Sequence, residues 1–123
     1  MLNAINWFEI PVTDLDRARA FYGSILAAEL PINDDFPGMR MAMFPYADPG
    51  VGGCLIKMDE AQPSADGVRV YLNGGEDLAV ILARVVPAGG KVVVPKTLIH
   101  PEIGYFAIFG DSEGNLLGLH SMQ

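Results

Sequence analysis

"WFEIPVTDLDRARAFYGSIL", Trp7 to Leu26, decides the fold. Its first six residues are aromatic or β-branched at alternate positions, and a proline falls near their end, so Trp7–Val12 reads as a strand. Phe8, Ile10 and Val12 share one face; Trp7, Glu9 and Pro11 share the other. Thr13 is the expected N-cap of the helix that follows, with Asp14 and Asp16 in the first turn, where the helix dipole favours acids. Leu15, Ala18, Phe21 or Tyr22, and Ile25 recur at helical spacing. The stretch is strand, tight turn, amphipathic helix over Asp14–Leu26.

The same unit recurs further along. Met39–Tyr46 and Gly52–Met58 read as strands separated by the turn "ADPGV". "DEAQPSADG", Asp59 to Gly67, is polar and aperiodic, and is the candidate linker. Val68–Asn73 is then a strand, and Glu76–Val86 a helix with Leu78, Ile81, Leu82 and Val85 on one stripe. "KVVVPKT", "GYFAIFGD" and "NLLGLHS" close the chain as strands. Asp14-Leu15 at the first helix start recurs as Asp77-Leu78 at the second, and Phe8 and Ile10 match Val70 and Leu72. The expected architecture is α+β: two βαβββ modules (1–58 and 68–123, linker 59–67) in one domain.

Composition restricts function. The 123 residues suffice for one core. A net charge of −7 disfavours nucleic acid and anionic membranes as partners. The single cysteine, Cys54, forms no internal disulfide and suits a reducing compartment. No basic leader or membrane-length apolar run is present, so a cytoplasmic location is expected.

Three stretches, "FEIPVTDLDRARAFYG", "ARVVPAGGKVVVPKT" and "FAIFGDSEGNLLGL", resemble the vicinal oxygen chelate superfamily of glyoxalase I, extradiol dioxygenases and bleomycin-binding proteins. The resemblance covers nearly the whole chain. It implies two curved sheets around a central cleft, helices on the outer faces, a homodimer, and a small-molecule ligand or substrate. It also places the superfamily's metal-ligand positions on Trp7, Arg69, Gly118 and a residue near Leu55. None is a usual ligand, so no metal and no cofactor are expected.

Alternation then sets the expected cleft. Glu9 and His120 are the candidate catalytic pair, a carboxylate base beside an imidazole. Trp7, Arg69, Tyr71 and Gly118 are the candidate ligand-binding residues. Each has a plainer explanation: an ion pair for Glu9, a solvent-facing ring for His120, core packing for Trp7 and Tyr71. Cys54 reads as a buried thiol rather than a nucleophile. Gly50–Gly53 reads as a turn rather than a phosphate cradle, and His100 as part of a surface loop that could cover the cleft. Two functions fit: a glyoxalase-type lyase or isomerase acting on a small carbonyl compound, and a metal-free protein that sequesters a drug or metabolite.

Overall fold

A computed structural model describes residues 3–123. Eight strands and two helices run β1 (Trp7–Pro11), α1 (Leu15–Leu26), β2 (Ile32–Asn33), β3 (Met39–Met43), β4 (Gly52–Met58), β5 (Tyr71–Asn73), α2 (Ala79–Val85), β6 (Lys91–His100), β7 (Gly104–Gly110) and β8 (Leu116–Ser121). They form two four-stranded mixed sheets, ordered β1-β4-β3-β2 and β5-β8-β7-β6. In each, the first strand runs parallel to the last and the other pairings are antiparallel. The sequence repeat is therefore a structural repeat.

One face of both sheets shares a single core with the helices. Ile10, Val12, Leu55, Leu72, Leu117 and Leu119 are buried there with Leu15, Phe21, Tyr22, Ile25, Leu78 and Val85 of the helical segments. Alternation in β1, β5 and β8 thus puts the expected residues under the helices. Tyr22 lies between the modules, edge-on to Phe44 (ring centroids 5.4 Å apart) and near Phe109 (6.5 Å). Such aromatic pairs contribute about 0.5–1.5 kcal/mol beyond the area they bury.

Several boundaries differ from expectation. Asp14, not Thr13, caps α1: its carboxylate accepts from the Arg17 amide at 3.0 Å. Helix α2 starts three residues late, at Ala79, and the Leu78 amide just before it donates to the Ser121 hydroxyl. β5 begins at Tyr71, with Val68 94 % exposed and so unable to contribute packing. β3 stops at Met43, and the two-residue β2 has no sequence signature of its own. It exists by pairing Ile32 and Asn33 with Ala42 and Met41.

The turn "DSEGN" joins the modules. Asp111 is buried; it accepts the Tyr22 hydroxyl at 2.7 Å and the amides of Glu113 and Asn115. Asn115 donates to the Pro11 carbonyl and accepts from the Ser64 amide, fastening β1 and the linker to the last turn. Glu113 reaches across to the start of α1, where it accepts the Thr13 and Asp14 amides at 2.9 and 2.8 Å and pairs bidentately with Arg17. Its carboxylate thus lies at the positive end of the helix dipole.

Candidate functional site

The faces turned away from the helices form the site. In the first module this face carries Trp7 and Glu9 on β1, Cys54 and Ile56 on β4, and Met41 and Met43 on β3. Register pairs Glu9 with Cys54, Met41 with Ile56, and Met43 with Cys54. Met41, Cys54 and Ile56 form a buried cluster of their own, distinct from the helix-side core, with Met39, Met43 and Met58 packed on it. The adaptable thioethers make this a deformable apolar floor. Burial, with a lesser contribution from Glu9, pushes the Cys54 thiol up to about 12. At neutral pH Cys54 is a protonated, inert thiol.

In the second module Tyr71 pairs in register with Gly118, Asn73 with His120, and Phe106 with His120. Tyr71, Ile99, Phe106 and His120 line a shallow hollow of about 370 Å³. His120 Nε2 stands 2.6 Å from the Ile103 carbonyl. A carbonyl can only accept, so Nε2 carries the proton and Nδ1 is the nitrogen left for a ligand. Ile99 and Phe106 were not singled out from sequence. Alternation back from the buried Ala107 places Phe106 on this face, but the register shifts in β6 hide Ile99.

Glycines admit the aromatic rings. A side chain at Gly118 would collide with the Tyr71 ring, one at Gly53 with Phe8, and one at Gly52 with Tyr46 and Trp7. The run Gly50–Gly53 thus makes room for aromatic rings at the start of β4. Trp7 and Tyr71 are 38 % and 51 % exposed, so both present ring surface to solvent.

The expected pair is placed as follows. Glu9 stands exposed on β1 of the first sheet, and His120 half-buried on β8 of the second. No hydrogen bond or ion pair joins them among the described residues. Arg69 is exposed, one residue before the Val70 carbonyl that accepts the Gly118 amide. His100 ends strand β6 rather than lying in a loop, and its Nδ1 accepts the Glu102 amide.

Backbone pairing also fixes the metal-ligand positions. The Val12 amide bonds the Ile56 carbonyl as the Gly74 amide bonds the His120 carbonyl. Gly118 therefore corresponds to Cys54. The sequence puts this position near Leu55, to within a residue; Leu55 itself is fully buried on the helix side. The four positions are Trp7, Cys54, Arg69 and Gly118: an indole, a protonated thiol, a cation and no side chain. Among the described residues, no three His, Cys, Asp or Glu side chains come together as a metal-holding group. This donor set does not fit the superfamily's resident divalent ion.

Two repeated βαβββ modules with helices on one side define the vicinal oxygen chelate fold. Solved structures share it, among them the following three. A glyoxylase/bleomycin resistance protein/dioxygenase domain from Frankia sp. EAN1pec superposes with a TM-score of 0.75 at 17% identity, covering 100% of both chains. A glyoxalase I mutant from Zea mays gives 0.73 at 23% identity, covering 94% of this chain but only 45% of that one. TnmS3, an antibiotic binding protein from Streptomyces sp. CB03234, gives 0.68 at 24%, covering 98% and 96%. In sequence, the bleomycin resistance protein-like N-terminal family matches residues 5–45. A glyoxylase-like domain-containing protein from Didymella fabae is 31% identical over 118 residues, 90% of this chain and 88% of its own. The chain belongs to the glyoxalase/bleomycin-resistance family. No helix among the described residues is long and apolar enough to cross a membrane.

Proposed function

We propose that this protein binds a small, flat, cationic organic molecule on its concave surface and does so without a resident metal. The observation that carries the reading is the Tyr71 ring lying over Gly118. The position that would project a metal ligand instead seats an aromatic platform. Phe106 and Ile99 extend the platform, and His120 Nδ1 supplies one polar contact. Glu9 and the charge of −7 favour a cationic ligand. On this reading Trp7 is the matching aromatic element of the first module, and the exposed Arg69 takes no part in the platform. The alternative, a lyase on a small carbonyl compound, requires a base and an oxyanion stabiliser within reach of one substrate. Glu9 is available as the base, but no hydrogen bond or ion pair joins it to another side chain among the described residues.

Proflavine, a planar cation, tests the proposal. Titration of the wild-type chain, followed by dye fluorescence, should saturate at one dye per chain. Tyr71→Ala and Phe106→Ala should each weaken binding about tenfold, the ~1–3 kcal/mol expected of a lost stacking partner. Equal affinity in all three proteins would refute it.

A further inference from the structure

A hollow of about 530 Å³ lies away from the face that carries Tyr71, Phe106 and His120. It lies at the seam between the modules, on the helix side. Phe8 and Phe44 of the first module wall it, with Leu26 at the end of α1 and Val70, Leu72 and Ile81 of the second module. All six belong to the helix-side core or pack against it. Ile5, Pro45, Val51, Tyr71, Asn73 and Gly75, none of them buried, complete the lining, so the hollow opens from that core to solvent. Two features account for it. β1 and β5 are both sheet edges and do not pair with each other. Helix α2 has 7 residues against 12 in α1 and covers less of its sheet.

The lining chemistry identifies an occupant. No Asp, Glu, Lys, Arg or His contributes to it; Asn73 and Tyr71 are its polar members. The Asn73 side-chain oxygen is already engaged by the Gly75 amide at 2.9 Å. A charged group seated against the Phe8, Phe44, Leu72 and Ile81 walls would lose part of its hydration with no charged partner to replace it. An anionic ligand would also meet a protein of charge −7. The volume falls within the several hundred Å³ usual for small-molecule sites. We propose that the seam pocket is a second binding site, for a neutral aryl or alkyl compound of moderate size. Tyr71 lines both hollows. The inference does not depend on what the concave surface binds.

The test uses N-phenyl-1-naphthylamine, an uncharged probe that fluoresces on leaving water. Wild-type protein should bind it saturably, one per chain. Ile81→Trp on α2 and Val70→Phe just before β5, which fill the pocket from two different elements, should each weaken binding at least tenfold. Phe106→Ala, on the other side of the sheet, should change it less than twofold. Nuclear Overhauser contacts from the probe to the Leu26 and Ile81 methyls in wild-type protein provide a readout that needs no variant. Absence of saturable binding, unchanged affinity in both filled variants, or contacts to Ile99 and Phe106 instead would overturn the proposal. Because Phe106→Ala separates the two sites, failure of proflavine binding and failure of this probe are independent results.

Discussion

Glu113→Gln isolates the charge that fastens the last turn to the first helix. Gln keeps an oxygen that can accept the Thr13 and Asp14 amides, and loses only the carboxylate. Burial of Glu113 opposes its ionisation. Hydrogen bonds from Arg17, the two amides and the Ser112 hydroxyl outweigh that and hold it at about 2, below an ordinary 4.5. At about 1.4 kcal/mol for each pH unit, the ceiling on this contribution is roughly 3 kcal/mol. The Glu113 side chain is fully buried, but its Arg17 partner is 54 % exposed. Solvent screening of that partner brings the expected loss at pH 7 to about 1–2 kcal/mol. For a chain of this size that is a fall in Tm of roughly 4–8 °C. A carboxyl whose folded pKa is depressed stabilises the fold above its unfolded value and loses that contribution as pH falls through the folded one. Wild-type stability should therefore decline between about pH 5 and pH 2, and the variant should decline less over the same window. Urea unfolding at pH 7, 5, 4 and 3 measures both quantities. A loss below about 0.3 kcal/mol at pH 7, or parallel pH profiles, would refute the assignment.

Three further outcomes are expected. Ala27 ends α1 at φ 51°, a left-handed conformation that disfavours a side chain, and it is exposed. Ala27→Gly should raise stability by about 0.5–1 kcal/mol in the same unfolding assay. Gly118→Ala should cost about 1–3 kcal/mol, because the new methyl displaces the Tyr71 ring; in a Tyr71→Ala background the cost should largely vanish, a coupling that a double-mutant cycle reads directly. Cys54, buried and protonated, should react with a disulfide reagent at pH 8 at least a hundredfold more slowly in the native protein than in urea.

The parts of the fold legible in sequence were those with a local period. β1, α1 and β8 bury Ile10, Val12, Phe21, Leu117 and Leu119 as alternation and helical spacing require. Contacts between distant segments left no such trace. The strand at Ile32–Asn33 is held by its neighbour, and Glu113 reads as a residue in a surface turn until the start of α1 is brought beside it. At the site, the outward faces of Trp7, Glu9, Tyr71 and His120 followed from period 2. The equivalence of Cys54 with Gly118 did not, because a one-residue error moves a position through the sheet, as it did for Leu55. The seam pocket was equally invisible, since it consists of what the side chains of two modules fail to fill.

The bond from the Thr13 amide to Glu113 closes a ring spanning 100 residues of chain. A contact that long cannot form until nearly everything between has been synthesised and gathered, and it is penalised by loop-closure entropy until then. The first helix therefore gains its charged cap last, although it is made first. A nascent chain halted at Gly110 would hold α1 without the Asp111 carboxylate for Tyr22 and without Glu113 for Arg17. The two repeats, alike in pattern, are thus tied together by contacts between the two ends of the chain.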